Sequence, residues 1–306
     1  MLDEYSRRWL EKKSQAQRQR SLNALRRFGE WTRATFGIEP KTLVAKAIRG
    51  GRGAEKAERV LRQYSKVLTD KGNTKGSAVQ EYALLRGYFT ANDVDLGKYP
   101  KIEVRPKYEP REHVLSHGRV RRMVQRCDDL RDRFLIAFLV QTGQRIGVLT
   151  AMKKNTITKV ASGRGIVKVP EAFRNRRGEN VNELGIPYTF VIGRNTMRLL
   201  RDLPPCEGEW LLKVSLRQIG RIVDKAAGAI GIQDKPPTEI GRSWSAVHPS
   251  TFRKYWVDCM IEAGSDPRCF MHMMGIRVPS ALGSWEPTDE KLLKAYKKAE
   301  PKLEVL

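Results

Sequence analysis

The residues of this sequence that could do chemistry are arginines in its second half. Arg253 follows HPST (248–251), which predicts the start of a helix capped by Ser250 or Thr251. Arg253 is therefore predicted in the first turn, with its guanidinium group able to reach outward. Further arginines lie in a predicted hairpin turn at 174–180. Because its pKa lies above about 12, a guanidinium group can hold a phosphate but is a poor proton donor.

The sequence lacks the motifs of several enzyme classes. It has no Walker A loop, no zinc-binding H-E-x-x-H helix and no G-x-S-x-G nucleophile turn. Its cysteines are scattered without a C-x-x-C pair: Cys127, Cys206, Cys259 and Cys269. This spacing predicts buried thiols in a reducing compartment rather than a disulfide or zinc framework.

The charge of the chain points to a polyanionic partner. Its 306 residues include 58 Lys and Arg and 34 Asp and Glu, a formal net charge of +24. A hydrophobic content of 40% is too high for a disordered basic tail, and the length favours two domains. Binding to phosphates releases condensed counterions, so a nucleic acid is the expected partner. Charge alone also fits a ribosome-associated or a membrane-surface protein.

The sequence predicts a cytoplasmic protein with no membrane-spanning segment. Its longest apolar run, Phe134–Val140, is too short to cross a bilayer. The first four residues are MLDE, which lack the basic and apolar regions of a signal peptide.

Residues 1–97 are predicted to form a helical domain. Apolar residues recur at helical spacing within 22–32, 60–67 and 79–89. Tyr and Phe at this spacing indicate core packing rather than base stacking. We therefore expect the basic faces of these helices to contact phosphate.

Residues 98–112 are predicted to form a basic linker. Three prolines alternate there with Lys and Arg, which prevents a helix. At about 3.3 Å per residue, an extended segment of this length can reach around a duplex. We expect Arg105 and Lys107 to contact the nucleic acid.

Residues 113–306 are predicted to be mainly α-helical with a small antiparallel sheet. Alternating apolar residues at 156–192 indicate the sheet, with the arginine-rich turn between two of its strands. The predicted helices cover 116–127, 130–141, 145–152, 196–203, 216–230, 248–263, 266–275 and 289–300.

Two short motifs lie in this second domain, with their arginines 108 residues apart. The first is TGQRIGVL (142–149), and the second is PSTFR (249–253), followed by EAG (262–264) and MG (274–275). They resemble the T-G-x-R-x-x-E-L turn, the H-x-L-R helix, the A-G turn and the L-G-H box of the tyrosine recombinase (phage integrase) family, in an archaeal type with a degenerate-looking active site. The layout of the whole chain is also similar to that of the family.

The resemblance implies a fold and a chemistry. It implies that 1–97 is a core-binding domain and that 113–306 is the catalytic domain. In the family a tyrosine attacks a DNA phosphodiester and forms a 3′-phosphotyrosyl bond, and a hairpin lysine protonates the leaving 5′-oxygen. Two arginines hold the phosphate, which implies that Arg145 and Arg253 form the phosphate clamp. Double-stranded DNA is the implied partner, no metal or other cofactor is implied, and oligomers that exchange the C-terminal helix are expected.

Several family positions hold other residues. Ser250 stands where the family has His or Lys, and His248, two residues earlier, is the available substitute. Ile276 replaces the His or Trp of the L-G-H box, and Val148 replaces the acidic residue of the first motif. At the position of the nucleophilic tyrosine the chain has Trp285, which cannot attack phosphorus.

The remaining active-site positions have uncertain counterparts in this sequence. Lys168, on a predicted strand, is the candidate for the hairpin lysine. Tyr296, in the last predicted helix, could replace the nucleophile if that segment is rearranged or donated to a neighbour. Its spacing from Leu292 and Leu293 favours packing instead. In the hairpin turn, the expected DNA contacts are Arg174, Arg176 and Arg177.

Three hypotheses follow. The chain is an active recombinase with a displaced nucleophile, or a catalytically inactive DNA-binding protein of regulatory or architectural role. The losses at Ser250, Ile276 and Trp285 favour the inactive form. A third hypothesis is an RNA-binding or ribosome-associated protein, which leaves the two arginine motifs unexplained.

Overall fold

The computed structural model divides the chain into two compact units, which fall within 3–97 and 115–306 for the residues that it describes. The described residues are 3–11, 13, 15–70, 75–97, 115–160, 162–182, 184–204, 206, 208–233, 246–278 and 285–306. The predicted linker, with Arg105 and Lys107, lies outside these ranges. The domain boundaries and the contacts expected from the linker therefore stay predictions.

In its described residues, the first unit has α-helices and no strand. Its helices are α1 (Glu4–Leu10), α2 (Gln15–Phe36), α3 (Pro40–Ile48), α4 (Arg52–Asp70) and α5 (Lys75–Thr90). The sequence patterns predicted α2, α4 and α5. Both α1 and α3 are shorter than ten residues, so few apolar repeats mark them.

The aromatic residues of this unit form its core. Tyr64, Tyr82, Tyr88 and Phe89 are all buried, and Phe28 packs edge-on against Tyr64 with ring centroids 5.2 Å apart. The prediction that these rings pack rather than stack on bases is confirmed.

The second unit combines eight helices with one sheet, within the described ranges. Its helices are α6 (His117–Gln125), α7 (Leu130–Thr142), α8 (Ile146–Ala151), α9 (Arg194–Asp202), α10 (Leu216–Gly228), α11 (Pro249–Glu262), α12 (Pro267–Met273) and α13 (Asp289–Leu303). Every residue of α7 from Phe134 to Thr142 is buried, because the other elements pack around it. The predicted fold class, mainly helical with a small sheet, is confirmed.

The sheet is antiparallel, with the strand order β1 (Ile157–Lys159), β2 (Gly165–Val169) and β3 (Tyr188–Ile192). Val169 pairs with Tyr188 at one end of β2, and Gly165 pairs with Ile192 at the other. The short β1–β2 turn and the longer β2–β3 connection therefore lie at opposite ends of the sheet.

The N-cap of α11 and the end of α13 differ from the prediction, and several other helix ends lie one or two residues from their predicted positions. Helix α11 begins at Pro249 with His248 as its N-cap, so Ser250 and Thr251 lie inside the helix. Proline is favoured at this first position because its φ is preset and no N–H is lost. Arg253 consequently lies in the second turn of α11. Helix α13 was predicted to end at Glu300 but continues through Pro301 to Leu303.

Candidate functional site

The turn between α7 and α8 has a glycine that no other residue could replace without strain. Gly143 has φ +60°, the left-handed conformation that ends a helix. A Cβ atom on Gly143 would lie only 2.8 Å from the indole ring of Trp256, which is buried on α11. The first arginine motif is therefore packed directly onto the helix that carries the second.

Arg253 connects two turns of the backbone. Its Nη1 donates a hydrogen bond to the carbonyl of Gly143, and its Nη2 donates one to the carbonyl of Met274, both at 2.9 Å. Hydrogen bonds from a charged donor contribute about 1.5–3 kcal/mol each. These bonds fix the plane of the guanidinium group, which gives Arg253 a structural role.

Gln144 and Tyr188 connect the same two turns of the backbone through side-chain hydrogen bonds. The buried Gln144 donates from Nε2 to the carbonyl of Met273 at 2.7 Å, and its Oε1 accepts a hydrogen bond from the Tyr188 hydroxyl at 3.0 Å. The ring of Tyr188 lies against Gly275, where an added Cβ would approach Cε1 to 2.7 Å. Gly275 also has φ +64°. One hydrogen-bonded cluster thus holds both motifs on β3.

The charges of Arg145 and Arg253 both affect the pKa of the Tyr188 hydroxyl. Burial raises the pKa of Tyr188 to about 12, and the positive charges of Arg145 and Arg253 both act in the opposite direction. Both guanidinium groups therefore lie within electrostatic reach of the same hydroxyl. Arg145 and Arg253 are half-buried, and Arg145 is the N-cap residue of α8. Arg253 donates to the carbonyl of Gly143, which lies two residues before Arg145 in the chain.

His248 lies beside Ser250 at the start of α11. The Ser250 hydroxyl and His248 Nδ1 are 2.6 Å apart, and Ser250 is exposed while His248 is half-buried. The two residues therefore form a hydrogen-bonded pair at the position where the resemblance implies one His or Lys.

Trp285, at the position implied for the nucleophile, packs against Arg268. The guanidinium group of Arg268 lies over its ring, 4.9 Å from the centroid, and Arg268 also pairs with Asp266 at 2.8 Å. Ile276 is half-buried and packs against the core of the unit. These two positions carry apolar contacts.

Tyr296 lies in the core of the unit. It is fully buried on α13, and burial and the neighbouring Glu300 hold its pKa well above the usual range. Its hydroxyl faces Gly193, where an added Cβ would be 2.6 Å away. The packing role that the sequence favoured describes this position, and attack on DNA would require α13 to leave the core.

Lys168 does not reach the arginine pair. Side chains alternate along a strand, and Lys168 pairs in register with Thr189, one residue beyond Tyr188. Lys168 therefore points to the opposite face of the sheet from Tyr188. It is exposed there, with Nζ 3.4 Å from Asp289 Oδ2. The interpretation of Lys168 as a proton donor beside the arginines does not fit this placement.

The arginine-rich turn is braced by its own side chains. Asn175 accepts hydrogen bonds from the backbone N–H groups of Arg177 and Glu179, and Arg174 donates to the carbonyl of Gly178 at 2.7 Å. Arg176 and Arg177 are exposed at the tip. They and the start of α10 line an open groove of about 680 Å³ that also contains Lys213 and Arg217.

Neither a metal cluster nor a membrane-spanning helix is present in the described part of the chain. No three His, Cys, Asp or Glu side chains come together there as metal ligands. None of its helices is long and apolar enough to cross a bilayer.

Comparison with known proteins identifies the fold. No protein-family model and no curated protein matches this sequence. The structure is similar to "XerH site-specific recombinase bound to difH substrate: pre-cleavage complex", with a TM-score of 0.53 and 14% identity over 97% of this chain and 91% of that one. The chain has the tyrosine recombinase fold. It is also similar to the Tn1549 transposon integrase in complex with a circular intermediate DNA (TM-score 0.52, 12% identity, 82% of this chain and 90% of that one).

Within this tyrosine recombinase fold, sequence reasoning missed Gln144 and Tyr188. Gln144 occupies the variable position of the first motif, where the spacing gives no reason to expect a buried side chain. Tyr188 is one of several apolar residues on its strand, and its contact with Gly275 depends on how β3 packs against α12. A signal for either residue was absent from the sequence.

Proposed function

We propose that this chain binds duplex DNA by holding phosphates with Arg145 and Arg253, and that it does so without forming a covalent bond to DNA. The hydrogen bond from Arg253 to the carbonyl of Gly143, two residues before Arg145 in the chain, carries the proposal. A pair of guanidinium groups can bind the non-bridging oxygens of one phosphodiester. The protein would act in a DNA transaction such as recombination or integration, in a regulatory or architectural role.

The positions of the candidate nucleophiles support a role without cleavage. Trp285 cannot attack phosphorus, and the hydroxyl of Tyr296 is buried under β3 and α9 with its pKa held above the usual range. A phenol that is both neutral and enclosed is a poor nucleophile. Lys168, the candidate for leaving-group protonation, faces away from the arginines.

The XerH and Tn1549 proteins support DNA as the partner, since the structures that resemble this chain hold DNA. The basic groove beside the arginine-rich turn adds further charge for a phosphate backbone. A net charge of +24 fits the same partner. We extend the proposal to the linker, where Arg105 and Lys107 are expected to add contacts.

The test combines binding with covalent trapping. Fluorescence anisotropy on a labelled duplex measures affinity between 50 and 300 mM salt, and nicked suicide duplexes test for a denaturant-resistant adduct. We expect binding that falls steeply with salt, because several phosphates release counterions. We expect no adduct with the wild-type chain. Arg145→Ala should weaken binding about 10- to 100-fold, since one strong ionic hydrogen-bonding group is lost.

Control variants separate the possible results. Lys297→Ala removes one exposed charge on α13 and should change affinity less than twofold. Arg253→Ala also removes two backbone hydrogen bonds, so its affinity is read beside its melting temperature. An adduct that disappears in Tyr296→Phe would show that α13 rearranges and that the chain is an active recombinase. Preference for structured RNA over the duplex at equal salt would replace DNA by RNA as the partner.

A further inference from the structure

A second basic groove lies at the other end of the sheet from the arginine-rich turn. Its volume is about 550 Å³, and it is lined by the β1–β2 turn, the outer face of α9 and Leu211. The β2–β3 connection that carries Arg176 and Arg177 leaves the opposite end of β2. A strand of five residues is about 14–17 Å long, so the two basic regions are separate surfaces.

The charges of this groove are all positive. Arg194, Arg198 and Arg201 follow one another at four- and three-residue steps, which places them on one face of α9. Lys154 and Lys159 line the other side. Among the described residues that line the groove there is no carboxylate.

Contacts among the described residues leave this charge largely uncompensated. Arg201 pairs with the adjacent Asp202, at 3.7 Å and with both side chains exposed, so the pair is weak. Lys154 and Arg194 donate to the uncharged carbonyls of Cys206 and Ser162. Arg164 is the exception, because the buried Glu300 neutralises it at the back of the groove.

The floor of the groove is apolar. Val160, Met197, Leu200 and Leu211 form it, and Leu200 and Val160 are only half-buried. A phosphodiester backbone gains nothing from aliphatic carbon, and the described residues that line the groove include no aromatic ring for base stacking. A ligand that contacts both the basic residues and the apolar floor needs carboxylates for the first and aliphatic side chains for the second.

We propose that this groove binds an acidic, amphipathic peptide segment of a partner protein, with aliphatic side chains on the floor and carboxylates on the arginines of α9. Charge complementarity selects the partner, and the apolar floor distinguishes a peptide from a nucleic acid. Because the two surfaces are separate, the protein can hold such a partner while its arginine pair holds a phosphate.

The test uses a fluorescein-labelled peptide of about 14 residues, made of Glu and Asp with Leu at helical spacing, in fluorescence anisotropy. We expect Arg198→Glu to weaken peptide binding at least tenfold, since like charges then face each other. Arg177→Glu makes the same charge change at the other end of the sheet and should alter peptide binding less than twofold. A peptide with Ser in place of Leu should bind at least tenfold more weakly to the wild type.

Three outcomes would overturn the proposal. In the first, the peptide does not bind. In the second, Arg198→Glu and Arg177→Glu weaken peptide binding equally, which would show that the peptide is attracted only by the net charge of the protein. In the third outcome, an unlabelled single-stranded DNA displaces the peptide and itself loses affinity in Arg198→Glu, which would make the groove a nucleic-acid surface. Arg198→Ala combined with Arg201→Ala serves as the second variant if charge reversal lowers the melting temperature.

Discussion

The arginine pair and the terminal helix are fixed in the second unit by different kinds of interaction. Arg253 is held by backbone carbonyls beside two glycine turns, and its guanidinium group stays half-buried. Helix α13 is held from inside, by the buried Tyr296 and by the ion pair of Arg164 with Glu300. The guanidinium group of Arg253 is therefore partly accessible, whereas the hydroxyl of Tyr296 is enclosed in the core.

This difference matters for the two functions that the resemblance implies, phosphate binding and nucleophilic attack. A phosphate-binding arginine needs a rigid position and partial access to the ligand, and both are present. A nucleophile needs access as well, and the α13 side offers none in the described chain. Exchange of α13 with a neighbouring copy, which the resemblance implies, would have to break the Arg164–Glu300 pair first.

The largest loss of stability is expected when the ion pair that holds α13 is broken. Glu300→Gln leaves the guanidinium group of Arg164 buried without its counter-charge, and breaking such a pair costs about 3–5 kcal/mol of unfolding free energy. Urea denaturation measures the loss. Glu304→Gln, the same change at an exposed position, should cost less than about 0.5 kcal/mol. Under conditions in which the variant stays folded, its affinity for duplex DNA should change less than threefold. Equal stability of the two variants would show that the ion pair does not hold α13.

A smaller loss is expected at the turn below the arginine pair. Gly275→Ala combines a left-handed φ of +64° with a Cβ 2.7 Å from the Tyr188 ring, so we expect a loss of about 2–4 kcal/mol. Gly264→Ala, with φ +63° and open space around it, should cost only about 1 kcal/mol. Gly275→Ala should also weaken DNA binding, because Arg253 is bonded to the adjacent carbonyl. If the two variants are equally stable, the contact with Tyr188 contributes nothing.

The smallest effect concerns pH. Burial lowers the pKa of His272, and its Nε2 accepts a hydrogen bond from the Thr189 backbone N–H, which requires the neutral imidazole. Since the folded-state pKa lies below the unfolded value of 6.5, this contribution to stability is complete above pH 6.5 and is lost as the pH falls toward the folded value. Melting temperatures at pH 5 and pH 8 should therefore differ more for the wild type than for His272→Gln. An identical pH dependence in the two proteins would mean that the pKa of His272 is the same in the folded and unfolded states, so that burial does not lower it.

The sequence predicted long elements better than short ones. Helices α7 and α10 were expected within two residues of their observed ends, because their apolar residues repeat over several turns, and Gly143 marks the end of α7. The short helices α1 and α3 gave no such signal. The start of α11 was misplaced because Pro249 at the first position favoured His248 as the cap over Ser250 and Thr251.

For the site, the sequence by itself predicted Arg145 and Arg253 through the family resemblance of two motifs that are each local in the chain, and their roles stay predictions. It also predicted the loss at Trp285 and the packing of Tyr296. Only the tertiary structure decided that Arg253 bonds to the carbonyl of Gly143, that Gln144 bonds to the carbonyl of Met273 and to Tyr188, and that Lys168 lies on the opposite face of the sheet from Tyr188. The reason is physical: these relations depend on how β3, α11 and α12 pack, and packing joins residues too far apart in the chain for spacing to show.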